Sequence, residues 1–128
     1  MTKEIVATDR APAAVGPYSQ GVKAGGLLFT AMQIPLDPAS GQVVGDDVVT
    51  QTACVLDNIK AILAAGNSSL DRVVKTIVYL SDMDDFGAMN AIYERYFAAA
   101  PPARGAVEVA RLPKDVLVAI EAIAVVNG

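Results

Sequence analysis

The segment from Pro101-Pro102 through Ala103-Arg104-Gly105-Ala106-Val107-Glu108 to Leu112-Pro113-Lys114-Asp115 restricts the fold more than any other part of the chain. The paired prolines end any helix that precedes them, because proline disfavours the helical region for the residue before it. Arg104 then leads into a short apolar strand. Leu112-Pro113-Lys114-Asp115 makes a tight turn, and Leu117 to Val125 makes a second strand. An arginine at the start of a strand has a fixed base and a planar fork of donors, which suits bidentate capture of a small carboxylate.

The remaining elements follow from local pattern. Ile5-Val6-Ala7 is a short strand, and residues 11–17 are a loop punctuated by proline and glycine. Tyr18 to Lys23 and Leu27 to Met32 flank Gly25-Gly26, a hairpin signal, and residues 33–42 are a Pro-, Asp- and Gly-rich connection. A first helix begins at an N-cap of Asp46 or Asp47. Its core stripe is Val48, Thr52, Val55, Leu56, Ile59, Ile62 and Leu63, and it ends at Gly66 in a left-handed C′ position. Ala53, Cys54, Ala61 and Ala64 make its opposite face less polar than a solvated face; a contact surface and weak selection at an exposed helix both account for this. Val73 to Leu80 is β-branched and reads as a strand. Asp82, Asp84 and Asp85 favour the start of a second helix carrying Phe86, Met89, Tyr93, Tyr96 and Phe97. The order is strands, helix, strand, helix, strands over one domain, residues 1–128. It predicts an α+β sandwich with two helices on one face of a mixed sheet.

Composition narrows the chemistry. The chain has no histidine, which excludes Ser-His-Asp and Cys-His machinery and most zinc sites. A net charge of −4 without a basic run argues against nucleic-acid and anionic-membrane partners. The apolar runs are too short for a membrane span. Cys54 is the only cysteine, so no intrachain disulfide forms and a reducing, cytoplasmic setting is expected. Cys54 has no basic neighbour on its helix and reads as a packed thiol. Asp82, Asp84 and Asp85 lack calcium-loop spacing and read as caps, and Gly25-Gly26 lacks the helix and lysine of a phosphate loop. Apolar residues make up 53% and charged residues 19%. Either part of that apolar surface is buried between subunits, or the figure reflects alanine richness.

Several motifs occur in order over nearly the whole chain. They are Ala11-Pro12 with Gly16-Pro17-Tyr18-Ser19-Gln20-Gly21, Gln33-Ile34-Pro35, Asp57-Asn58-Ile59-Lys60, Val74-Lys75-Thr76, Met89-Asn90 with Tyr93, the segment quoted first, and Ile120-Glu121-Ala122-Ile123-Ala124. Together they resemble the Rid family, the YjgF-type 2-iminobutanoate/2-iminopropanoate deaminases. The resemblance implies a chorismate-mutase-like fold and a homotrimer with clefts between subunits. It also implies hydrolysis of 2-imino or enamine acids to 2-keto acids and ammonia, without metal or cofactor. Such a reaction needs a cation for the carboxylate, an oriented water and a polar group to manage the proton. By the same resemblance Arg104 holds the carboxylate, Tyr18 and Asn90 line the cleft, and the positions of Ala31 and Ala106 border the substrate. The alternatives are a structural ion pair for Arg104, a packed aromatic for Tyr18 and a helix-surface residue for Asn90.

The chain departs from the family pattern inside that cleft. Ala31-Met32 stands where Ser-Gly is usual, Gly105-Ala106 follows the arginine where a polar or small residue and often cysteine are usual, and Ala119 stands at the first of two alternating glutamates. Only the second glutamate remains, as Glu121. Residues i and i+2 of a strand share a face but lie roughly 6.5–7 Å apart, so Glu121 cannot simply take the missing position. The expected function is imine hydrolysis with impaired catalysis, with Arg104 and Glu121 as the catalytic candidates. The alternative is a catalytically silent or engineered trimer that binds carboxylates or serves as a scaffold.

Overall fold

The first helix organises the molecule. In the computed structural model, which describes residues 2–127, α1 spans Val48–Ala65. Asp47 caps it, accepting from the Thr50 backbone N–H at 2.8 Å. All seven residues of the apolar stripe are buried, as their spacing requires. At 18 residues with mean hydropathy 1.3, α1 matches a membrane span in length and composition; in this fold that apolarity is the core stripe packed on a sheet.

The glycine after α1 works differently from the sequence expectation. Gly66 has φ −94°, and Asn67 takes the left-handed position at φ 63°. Asparagine tolerates that region better than most residues. Gly66 is needed for space, since a Cβ there would stand 2.0 Å from Leu28 Cδ1.

The sheet has six strands in the order β1-β2-β3-β6-β4-β5. They are β1 Glu4–Val6, β2 Gly21–Ala24, β3 Leu27–Thr30, β4 Val73–Leu80, β5 Ala103–Glu108 and β6 Val118–Val125. Every pairing is antiparallel except β4 with β5. The second helix, α2 Phe86–Tyr96, makes the crossover between those two parallel strands. Asp82 caps a 3₁₀ turn at Met83–Asp85 that leads into α2, accepting from Asp84 N at 2.9 Å. Both helices lie on one face, as expected. The core there joins Val55, Leu56, Ile59, Ile62 and Leu63 of α1 and Met89 and Tyr93 of α2 to Leu28, Val78, Leu80, Val118 and Ile120.

Two strands are shorter than the sequence pattern suggested. The first hairpin strand starts at Gly21, not Tyr18, because the Gln20 side chain is spent on the preceding loop. It accepts from Thr8 N at 2.7 Å and donates to the carbonyls of Pro12 at 2.7 Å and Thr8 at 3.0 Å. The second ends at Thr30, and Gln33 then pairs with Ile120 by a bridge.

The face away from the helices carries no second layer over most of its area. Phe29, Val107 and Val125 are 40%, 46% and 36% exposed there. One end is covered by the chain itself, where Ile34, Val109, Leu112 and Val116 pack with Tyr79 around fully buried Ala119.

Candidate functional site

Arg104 is the second residue of β5, opposite Thr76 of β4 in parallel register. Its side chain lies on the helix face of the sheet's edge, against α2. The guanidinium carbon sits 4.8 Å from the centre of the Tyr93 ring and 5.2 Å from that of Phe86. Nη1 donates to Asn90 Oδ1 at 2.6 Å. Phe86, Asn90 and Tyr93 are spaced i, i+4, i+7, so one helical face presents all three. The Tyr93 hydroxyl shares a 2.7 Å hydrogen bond with Thr76 Oγ1, both groups buried. Burial pushes the Tyr93 hydroxyl up, only partly offset by Thr76 and Arg104. Beside this group a cavity of about 380 Å³ is lined by Asn90, Tyr93, Glu94, Phe97, Ala98, Pro101, Pro102 and Arg104. Among the described residues no carboxylate forms an ion pair with Arg104. Ala106, two residues along the same face, is half-buried at the margin of the main core.

Tyr18 lies elsewhere in the chain. It is 53% exposed in the loop that Gln20 pins. Its hydroxyl accepts from Val15 N at 3.4 Å. With Pro12, Ala13, Val15, Met32, Gln33, Ile34, Leu36, Pro113 and Lys114 it lines a second cavity, of about 370 Å³. Ala31 precedes the lining residue Met32 in sequence, and its N–H donates to Gln20 O at 2.8 Å. Within this chain Tyr18 is half-exposed, which does not fit the alternative reading of it as a packed aromatic.

Glu121 belongs to a third group. In the β4–β6 ladder Ile77 stands opposite Glu121 and Tyr79 opposite Ala119, so all four share the face away from the helices. The Tyr79 hydroxyl donates to Glu121 Oε1. That bond pushes the Tyr79 hydroxyl up to about 12, with burial and the carboxylate charge adding to the shift. Tyr79 is thus a neutral donor at any working pH. Ala119 is walled by apolar side chains and has no polar group of its own to offer.

Within one chain, then, Arg104, Asn90 and Ala106 are brought together, Tyr18 and Ala31 lie at a second place, and Glu121 lies on the opposite sheet face from Arg104. Among the described residues no three metal-ligating side chains cluster. Cys54 is half-buried, its Sγ donating to Leu36 O at 3.5 Å, and burial pushes the thiol up. This agrees with a packed thiol.

The family model described as Endoribonuclease L-PSP matches residues 8–126. The chain belongs to this family, the YjgF or Rid proteins. The RutC family protein PH0854 of Pyrococcus horikoshii is 57% identical over 122 residues, spanning 95% of this chain and 97% of that protein. The 2-iminobutanoate/2-iminopropanoate deaminase of Escherichia coli K12 is 50% identical over 123 residues, 94% of this chain and 95% of the other. The crystal structure of the YjgF gene product from E. coli superposes with TM-score 0.91 at 50% identity, covering 95% of this chain and 98% of that one. The chorismate-mutase-like fold expected from the motifs is the fold of this Rid protein.

Sequence reasoning missed Phe86, Tyr93, Thr76 and Tyr79 as site residues. The first two were readable from the helical spacing around Asn90. Thr76 and Tyr79 depend on strand register, which the sequence does not contain.

Proposed function

We propose that this Rid protein is a homotrimer that binds small 2-imino and 2-keto carboxylates through Arg104 and hydrolyses the imines slowly. One observation carries the reading. Arg104 is held by an amide oxygen and two aromatic faces, all neutral, so its charge and its remaining N–H donors stay available to an anion. The curated relative named as an imine deaminase supports the reaction class. In that reaction water adds to the imine carbon to give a carbinolamine, a proton moves to nitrogen, and the carbon–nitrogen bond breaks to leave a 2-keto acid and ammonia. No electron transfer is involved, and no metal or cofactor is called for.

The roles follow from chemistry. Arg104 anchors the carboxylate, with Asn90 fixing one edge of the guanidinium. The half-open sheet face, with Phe29, Val107 and Val125 exposed, favours cover by neighbouring subunits. The impaired rate follows from Ala119, where an apolar cluster replaces a water-activating carboxylate, and from Glu121, whose carboxylate is engaged by Tyr79. Losing a general base costs a factor of about 10² to 10⁴. The net charge of −4 and the lack of histidine favour a small-molecule substrate over RNA, despite the family's description, and a lone packed thiol fits a reducing cytoplasm.

Calorimetry with 2-ketobutanoate tests the anchor: Arg104→Ala should weaken binding by about 1.5–3 kcal/mol, the range for hydrogen bonds to charged groups. Unchanged affinity, or no binding by the parent at millimolar ligand, removes the anchor role. Light scattering that finds a stable monomer at micromolar concentration removes the trimer. The apolar surroundings of Ala119 also favour a second reading, a silent or engineered trimer that only binds carboxylates or acts as a scaffold. A coupled dehydratase assay separates the two: slow imine hydrolysis above background supports the first, none the second. A particle mass above that of a trimer points to a scaffold.

A further inference from the structure

We infer that Tyr93 is the positioning residue for Arg104, acting as an aromatic shelf that the buried Thr76 hydroxyl locks in place. The inference rests on the carboxylate-anchor reading above and specifies how the anchor is held.

An arginine on an exposed edge strand has many rotamers, and a guanidinium left in water adopts them freely. Here the side chain is fixed from three sides. Asn90 takes one N–H at 2.6 Å, and the Phe86 and Tyr93 rings stack at 5.2 and 4.8 Å. Of the two rings, Tyr93 is the one with a fixed position. Its side chain is buried, its hydroxyl is bonded to Thr76 Oγ1 at 2.7 Å, and its other edge meets Phe97 at 4.6 Å between ring centres. Thr76 is itself the register partner of Arg104 on the neighbouring strand. The closed path from Arg104 across the ladder to Thr76, through Tyr93 and back to Arg104 therefore ties the guanidinium to two elements of the core.

The charges around the group fit the same purpose. Glu94 lines the adjoining cavity but forms no ion pair with Arg104. A carboxylate partner would orient the arginine equally well and neutralise it. A ring face orients it through its quadrupole and leaves the planar edge, with its donors, for an incoming carboxylate.

The test is a double-mutant cycle read by calorimetry with 2-ketobutanoate. Tyr93→Phe keeps the ring and should hold the parent affinity within about twofold, since the ring face and not the hydroxyl meets the cation. Tyr93→Leu should weaken binding roughly three- to thirtyfold, the span of a cation–π contact. In an Arg104→Ala background Tyr93→Leu should change affinity no further, whereas a merely structural role would lower it equally with and without the arginine. Nuclear magnetic resonance gives an independent readout. The Arg104 Hε signal should lie upfield from ring current in the parent and in Tyr93→Phe, and return to the ordinary range in Tyr93→Leu. If Tyr93→Leu fails to fold, Phe86→Leu, at the half-buried side of the same shelf, replaces it with the same expected direction. Parent affinity in a folded Tyr93→Leu or Phe86→Leu variant, with Arg104→Ala still defective, overturns this inference alone. Loss of the Arg104→Ala effect overturns the anchor and this inference with it.

Discussion

Ala119→Glu restores the carboxyl group that the family pattern places on β6, and the structure fixes what that should cost. Ala119 is fully buried among Ile34, Tyr79, Val109, Leu112 and Val116. The new carboxyl would share its strand face with Glu121, roughly 7 Å away. Two like charges at that distance repel by about 2.4 kcal/mol at an effective dielectric of 20. Tyr79 has a single hydroxyl proton, already given to Glu121, so it cannot satisfy both carboxylates. Desolvation acts in the same direction, and both raise the folded pKa of the introduced group above its unfolded value near 4.3. For an acid shifted upward, the neutral form is the one the fold tolerates. The penalty is therefore small below about pH 4 and grows as pH rises through the folded pKa, to about 2–4 kcal/mol at pH 8. Urea melts of variant and parent at equal protein concentration, from pH 4 to pH 8, should give a stability difference that widens with pH. Deaminase activity should rise at the same time, by up to the factor of about 10² to 10⁴ that a general base supplies. A pH-independent difference would refute the reasoning, because it would mean that the carboxyl reaches solvent or a cation such as Lys114. A widening difference with no gain in rate would refute the assignment of the missing base to this position.

Three other outcomes follow from single contacts. Gly66→Ala should destabilise by about 1–3 kcal/mol, the usual cost of overpacking, since its Cβ would meet Leu28 Cδ1 at 2.0 Å in a backbone conformation that alanine otherwise accepts; Leu28→Ala/Gly66→Ala should melt no lower than Leu28→Ala alone. Thr52 carries the one buried side-chain oxygen without a partner among the described residues, so Thr52→Val should raise stability by about 1 kcal/mol in urea melts. Tyr79 and Tyr96 are both pushed up to about 12, Tyr79 mainly by its bond to Glu121 and Tyr96 mainly by burial. A group raised in the folded state contributes stability that is intact below its unfolded value of 10.0 and lost as pH climbs through 12. Absorbance titration of phenolate should show a late-ionising fraction, and Tyr79→Phe should remove part of it.

The helices were legible because their periodicity is long and strong: six apolar residues of α1 and Thr52 fall on one face, and all seven are buried. Gly66 was misread because its local context is that of a helix end, while its actual constraint, Leu28 on a distant strand, is tertiary. The hairpin strands were overextended because Tyr18 and Gln20 carry strand-like side chains, and the four-way bonding of Gln20 to the loop around Thr8 and Pro12 leaves no periodic trace. Arg104 and Glu121 were paired as catalytic candidates from the family pattern. Their opposite faces follow from two registers, Thr76 with Arg104 and Ile77 with Glu121, which place neighbours on β4 at alternate parity. The cavity around Tyr18 is lined by Pro113 and Lys114 of the Leu-Pro-Lys-Asp turn, in which Lys114 and Asp115 both take positive φ. The turn was readable from its residues; its left-handed backbone was not.

Two of the positions that depart from the family pattern share a physical property. Ala119 is fully enclosed by apolar side chains, and Ala106 packs at the rim of the main core. A polar group at either site must be desolvated, and that costs stability unless a partner is supplied. Replacing such groups by alanine removes the cost along with the chemistry, which is the usual direction of a stability–activity exchange. Arg104 lies outside this logic. Its charge is exposed, and its guanidinium lies over rings that the fold needs for other reasons, since Tyr93 belongs to the buried core and Phe86 packs against it. Removing the arginine would therefore gain the fold little. A buried position is where stability favours an apolar residue, whereas an exposed cation at the sheet edge such as Arg104 is under no such pressure.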